Sequence, residues 1–216
     1  MTDAVLSRKS IRQFLPTPVE NEAIRSLLEM AARSPSRQNL QPWKIYVVNG
    51  DAMATLKAEV DGTDEDETTG YEVEPPQIWQ PHRQARFDLV EQMFDKYGIG
   101  HEEMDRRVAL LDDRNYKFFD APAALFCFVD RRMGTAQWTD LGMFLQTFML
   151  LAQEAGLDTC AQEYWAKRSN QVSTFVNAPD DLMLVCGMAI GHHDPDAAIN
   201  SVASERIPID EFATFL

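Results

Sequence analysis

Three cations stand within five residues near the start of the sequence: Arg8, Lys9 and Arg12, with the hydroxyl of Ser10 between them and no acid between Asp3 and Glu20. The chain carries 34 acidic against 20 basic side chains, a net charge of -14, so a local positive cluster runs against the composition. Guanidinium and ammonium donors beside a hydroxyl suit a small bound anion such as a phosphate. They also suit a solvated helix end, and the cluster alone does not separate the two. A second polar patch is the run Ser34-Pro35-Ser36-Arg37-Gln38-Asn39-Leu40-Gln41-Pro42-Trp43. Its amide and hydroxyl groups suit the wall of a polar site, although a proline-bracketed turn is the commoner use of such residues.

Other chemistry-bearing residues are weaker. Cys160 is a candidate thiol, but Cys127, Cys160 and Cys186 are odd in number and widely spaced, which suits small buried hydrophobes in a reducing compartment. His192-His193 with Asp194 lacks the spacing of metal ligands on a helix and directly follows a strand-like run, so a loop is expected there. Glu102-Glu103 reads as the acidic first turn of a helix.

The elements that must position the two patches are legible. Thr17 as N-cap, Pro18 at N1 and Glu20 at N3 predict a capped helix, whose Ile24, Leu27, Leu28 and Ala31 form one apolar face ending before Ser34-Pro35. Lys44 to Val48 predicts a strand, and the apolar runs Ala123 to Val129 and Leu182 to Ile190 predict central strands covered on both faces. Thr139 to Gly156 is apolar almost all round, which predicts a helix in the core or at a subunit interface with Gly156 as its C-cap. Arg83 to Tyr97 and Glu102 to Asp113 predict peripheral helices.

Between Asp61 and Pro76 stand seven acidic residues with two glycines and two prolines, a composition that predicts a solvated excursion. With 216 residues, 45% apolar, and no repeat or linker, a single domain over residues 1–216 is expected. The acidic charge disfavours nucleic acid as a partner. The stretch from Met1 to Glu20 lacks the unbroken apolar run of a signal peptide, and Leu141 to Ala152 is too short to span a bilayer. A soluble cytoplasmic protein without a membrane partner is therefore expected.

Taken together, the two patches resemble the nitroreductase family, whose pattern is Arg-x-Ser-x-basic, about twenty residues of helix, then Pro-Ser-x-x-Asn-x-Gln-Pro-Trp before a strand. The matching residues are Arg8, Ser10 and Arg12, then Pro35, Ser36, Asn39, Gln41, Pro42 and Trp43. The resemblance continues through Asn115-Tyr116, Phe119-Asp120-Ala121-Pro122, the helix from Asp140, and Gly156-Leu157-Asp158-Thr159 leading to Glu163. It closes on Gly187, Gly191, Asn200 and Arg206-Ile207-Pro208, with a tail nearest the nitrobenzoate-reductase-like branch.

The resemblance implies an α+β fold with a central mixed sheet flanked by helices, and an intertwined homodimer with two FMN sites at the interface. It implies a ping-pong oxidoreductase taking hydride from NADH or NADPH and reducing nitroaromatic or related small acceptors, with the flavin rather than a protein nucleophile or a metal carrying the chemistry. By position, Arg8, Lys9, Ser10 and Arg206 would hold the phosphate and ribityl side, and Arg12 would approach the pyrimidine edge. Pro35, Ser36 and Arg37 would come from the partner chain, and Asn39 would be a further cofactor-binding residue. Gln162 and Glu163 would lie against the flavin, with a backbone N–H at Glu163 reaching N5.

Two departures from the family pattern bear on this site. Ala161-Gln162-Glu163-Tyr164 replaces the frequent Pro-x-Glu-Gly, and Ser204 stands where many members carry a lysine. A reductive dehalogenase or flavin-cleaving enzyme of the same fold is the nearest alternative. A non-catalytic anion-binding module is the alternative from another class. Trp79, Phe87, Tyr116 and Trp165 are candidates for the pocket or, equally, for the core.

Overall fold

The computed structural model describes residues 1–66 and 70–216. Helix α1 (Thr2–Ser7) leads through an extended segment to α2 (Asn21–Ala31), strand β1 (Lys44–Asn49) and α3 (Asp51–Val60). Helices α4 (His82–Tyr97) and α5 (Met104–Tyr116) precede β2 (Ala123–Asp130) and the long α6 (Thr135–Glu154). Strand β3 (Asp158–Gln162), α7 (Ser169–Phe175), β4 (Leu182–Gly191) and the short α8 (Ile209–Phe212) complete an α+β fold.

The strands form one sheet in the order β1-β2-β4-β3. As expected, the two long apolar runs are its central strands. Along β2, Ala124, Phe126 and Phe128 enter one core with α3 and Trp165, while Ala123, Leu125, Cys127 and Val129 enter another with α2 and α6. This alternation is the period of a strand buried on both faces.

The expected mixed sheet is corrected: all three strand ladders are antiparallel, and the single bridge between Ser10 and Thr159 supplies the one parallel pairing among the described residues. The mixed sheet is what the family resemblance implies; the apolar runs themselves report burial on two faces and do not fix strand direction.

The capping box at Thr17 is also corrected. Helix α2 starts at Asn21 after an extended Glu20, with no side-chain cap. Val19 and Ile24, the positions before the cap and at the fourth helical residue, are buried in one cluster, so burial of a hydrophobic staple sets the entry of the chain. Helix α6 begins at Thr135, four residues earlier than expected, because the Gln137 side chain accepts the N–H of Gly134 at 3.1 Å. Its end is as expected. Gly156 takes a left-handed φ of 76°, and Leu157 N–H donates to the Ala152 carbonyl at 2.9 Å.

The acidic excursion is more anchored than its composition suggests, although its residues 67–69 lie outside the described residues. Asp66 N–H donates to the Lys167 carbonyl at 2.7 Å, Tyr116 Oη donates to Glu65 at 2.6 Å, and Arg168 donates to the Thr63 carbonyl at 2.7 Å. Tyr71 packs edge-on against Trp138 with centroids 4.8 Å apart.

An ion pair joins α4 to α5. Arg107, only 4% exposed, donates to both carboxylate oxygens of Glu91 and to the Ile99 carbonyl. These bonds hold the Glu91 carboxyl down at about 2. A depressed folded-state value means that the pair stabilises above the unfolded value of roughly 4.3 and that this contribution is lost as pH falls through about 2. Glu91→Gln should therefore melt below wild type at pH ~6, and the gap should narrow steadily from pH ~4.5 downward. Thermal melts of both chains across that range check it, and a gap independent of pH would refute it.

Candidate active site

The cationic segment is laced to the sheet by its backbone. Ser10 bridges Thr159, Ile11 N–H donates to the Thr159 carbonyl at 3.1 Å, and Phe14 N–H donates to the Phe119 carbonyl at 3.0 Å. Ile11 is fully buried, and in extended backbone its neighbours Ser10 and Arg12 face the other way. Asn200 clamps the same segment. Its Oδ1 accepts the Arg12 N–H at 2.9 Å, its Nδ2 donates to the Gln13 and Asp194 carbonyls, and its carbonyl accepts Lys9 Nζ at 2.5 Å. Asn200 is among the positions that match the family pattern, but these long-range bonds leave no local mark in the sequence from which its role could be read.

From Asn200 the chain returns past the cluster. Arg8, Lys9, Ser10, Arg12, Ser204 and Arg206 line one cavity of about 490 Å³. Arg206 Nη1 donates to the Ser204 hydroxyl at 2.6 Å and to its carbonyl at 2.9 Å, so Ser204 steadies the arginine instead of adding a charge. Among the described residues none of the four cations has a carboxylate within 4.0 Å.

Arg12 also lines a second cavity, of about 320 Å³, whose walls include Tyr97, Asn115 and the run Cys160 to Tyr164. Gln162 is 3% exposed; its Nε2 donates to the carbonyl of Asn115 at 2.9 Å and to its Oδ1 at 3.1 Å, which leaves Oε1 buried with no donor among the described residues. Tyr164, at the position of the family's glycine, donates its hydroxyl to Asp112 and lies beneath Lys167 Nζ, 4.1 Å from the ring centroid. Its side chain forms part of the cavity wall. Burial pushes the Cys160 thiol up to about 11, so it is protonated at neutral pH and offers no thiolate.

The run from Ser34 to Trp43 lies elsewhere, along α6. Ser34 Oγ bonds Thr147 Oγ1 at 2.9 Å, Arg37 N–H donates to Asp140 Oδ1 at 3.1 Å, and Trp43 stacks on Phe144 at 4.8 Å. Pro35, Arg37 and Asn39 are exposed and Ser36 is half-buried. The cationic segment belongs to the other end of α6, where the N-terminus pairs with Glu154. At 1.5 Å per residue, Asp140 and Glu154 are about 21 Å apart along the helix.

The structure thus brings Arg8, Lys9, Ser10, Arg12 and Arg206 together and joins them to Gln162 and Glu163 through Arg12. Pro35, Ser36, Arg37 and Asn39 of the same chain stand apart. Trp165 and Tyr116 are core residues, while Trp79 and Phe87 are exposed and line neither cavity. His193 Nδ1 lies 2.7 Å from Asp158 Oδ2, and the His192 carbonyl accepts the Leu15 N–H, so this pair laces the sheet to the N-terminal segment.

The Nitroreductase family model matches residues 5–192. The chain belongs to the nitroreductase family. Within that family it is 34% identical to the chloronitrobenzene nitroreductase of Comamonas testosteroni, over 99% of this chain and 96% of the relative. It is 32% identical to the 4-nitrobenzoate reductase of Pseudomonas putida, over 99% of this chain and 95% of the relative. Among solved structures, a mutant of the FMN- and NADPH-dependent nitroreductase NfnB from Sphigopyxis sp. strain HMH superposes with a TM-score of 0.92 at 34% identity, covering 99% of this chain and 97% of that one. The resemblance read from the N-terminal motifs is met across nearly the whole chain.

Proposed function

We propose that the protein is an FMN-dependent oxidoreductase that takes hydride from NAD(P)H and reduces nitroaromatic or related small acceptors. The observation that carries this reading is the convergence, in a chain of net charge -14, of four cations that have no carboxylate partner among the described residues, on a cavity that shares Arg12 with a second one. That donor set fits a phosphate. When bound, FMN supplies the redox chemistry, accepting hydride and passing electrons to the nitro group, so both substrates use one site in turn. Arg8, Lys9, Ser10 and Arg206 would hold its phosphate side. Arg12, which lines both cavities, would place its positive charge beside the flavin ring and favour its taking up electrons. Gln162 and Glu163 line the wall of the second cavity, and the buried Gln162 Oε1 is an acceptor awaiting a donor. The acceptor class is carried over from the chloronitrobenzene and 4-nitrobenzoate relatives.

The working unit is a homodimer of single-domain chains, because Pro35, Ser36, Arg37 and Asn39 reach a flavin only if it is bound by a second copy. Its compartment is the cytoplasm, which suits three buried cysteines without disulfides. Among the described residues, no helix is long and apolar enough to cross a membrane. The purified protein should be yellow, hold about one FMN per subunit, and scatter light as twice its 24.5 kDa chain mass. A colourless chain that takes up no FMN from excess would overturn the reading in favour of an anion-binding module.

A further inference from the structure

We propose that Asp140 is a positioning residue, which holds the Ser36 to Gln41 turn that its own chain lends to the flavin site of a second copy. Asp140 is 3% exposed, its Oδ1 accepts the Arg37 N–H at 3.1 Å, and its Oδ2 is buried without a hydrogen-bond partner among the described residues. A buried carboxylate with one of its oxygens unbonded is costly, and packing alone gives no reason for it. The reason lies in the turn. Gln38, Asn39 and Gln41 have φ of 51°, 60° and 48°, a left-handed conformation that asparagine tolerates but that is uncommon for glutamine, so the two glutamines are held there by their surroundings. The other hydrogen bonds of this segment close on itself: Gln41 N–H to Ser36 Oγ, Gln41 Nε2 to the Asn39 carbonyl, Asn39 N–H to the Ser36 carbonyl and Leu40 N–H to the Arg37 carbonyl. Among the described residues, the bond from Arg37 to Asp140 is the one that ties residues 36–41 to the scaffold. Asp140 stands on α6, in the body of the fold, so it fixes where an exposed, strained turn presents Ser36 and Arg37.

This inference rests on the shared-site reading above, and the test separates the two. Chains carrying Arg8→Ala, Ser36→Glu or Asp140→Ala are each unfolded and refolded in pairs, and heterodimers bearing two different tags are isolated. FMN retained on gel filtration and turnover with a nitroaromatic are then measured. A homodimer of any one variant has a defect in both sites. Asp140→Ala paired with Arg8→Ala should regain one FMN per dimer and about half the wild-type turnover, since both defects fall on the same site. Paired with Ser36→Glu it should regain nothing, because each site then has one damaged turn.

The Arg8→Ala and Ser36→Glu pair is the control, and it should regain one site. If the control does so but Asp140→Ala is rescued by Ser36→Glu instead, Asp140 acts within its own chain's site and the proposal fails. An Asp140→Ala homodimer that retains FMN as wild type does also overturns it. A control that regains nothing, although heterodimers form, overturns the shared site and the inference with it. Asp140→Ser replaces Asp140→Ala if the latter does not refold. Asp140→Asn, which keeps an acceptor for the Arg37 N–H, should restore FMN retention, and a purely electrostatic role would not allow that rescue.

Discussion

Trp165→Ala should lower the stability of the FMN-free protein by about 3 to 5 kcal/mol, the range for large aromatics truncated in a core, and its melting temperature by roughly 6 to 20 °C for a domain of this size. The indole is fully buried, stacks on Phe118 at 4.5 Å, and meets Phe126 and Tyr116 edge-on at 5.2 and 5.3 Å. One term works against the loss. Trp165 Nε1 is buried with no acceptor among the described residues, so truncation also removes an unsatisfied donor, a relief of about 1 to 3 kcal/mol. The lower half of the range is therefore expected, and Trp165→Phe, which keeps most of the packing and loses the donor, should be much milder.

A second substitution tests whether packing is the cause. A Cβ on Gly187 would lie 2.6 Å from the Trp165 ring, so Gly187→Ala should destabilise wild type and cost far less once Trp165 is Ala. Such coupling between touching residues is what a double-mutant cycle measures. Melts at one protein concentration suffice, and a shift of under about 2 °C for Trp165→Ala would mean that this cluster does not hold the core. Trp165 follows Gln162, Glu163 and Tyr164 directly, so loosening it should also unsettle the wall of the second cavity.

Which parts of this architecture were legible in the sequence follows from which interactions are local. The run of Arg8, Lys9 and Arg12 without a nearby acid is a pattern in the chain itself, and the three residues line one cavity. The apolar runs of β2 and β4 were legible because burial on both faces leaves no polar alternation. Helix α3 went unassigned although Met53, Leu56 and Val60 follow helical spacing, since ten residues of modest amphipathicity beside an acidic stretch give a weak signal. Strand β3, with the sequence DTCAQ, is held by its pairing with β4 rather than by its own propensity.

What the sequence hid was long-range. Asn200 earns its place through bonds to residues nearly two hundred positions away. The anchoring of Asp66 and Glu65 depends on α5 and the segment before α7, where a composition rule sees only charge. Tyr164, which stands where the family pattern has glycine, donates its hydroxyl to Asp112, 52 positions away, a partner that no local pattern reveals.

The most direct test of the phosphate end is Arg206→Ala, which should weaken FMN binding about ten- to a hundredfold by removing a charge-assisted hydrogen bond worth roughly 1.5 to 3 kcal/mol. Arg206 shares a cavity with Arg8, Lys9 and Ser10, and its partners among the described residues are the neutral oxygens of Ser204 and the Glu205 carbonyl, none of which neutralises its charge. Arg206→Lys should fall between, since an ammonium keeps the charge and loses the planar fork that meets two phosphate oxygens at once. Riboflavin makes the measurement specific, because it carries the same ring and ribityl chain without the phosphate. Wild type and Arg206→Ala should bind riboflavin equally while differing on FMN, and the FMN difference should shrink as salt screens the exposed arginine. Fluorescence titration of both flavins at two ionic strengths measures all of this. Equal losses for riboflavin and FMN would place the damage in the fold of the tail rather than at a phosphate. Unchanged FMN affinity would mean that Arg206 does not reach the phosphate, and that Arg8 and Lys9 hold it without the returning tail.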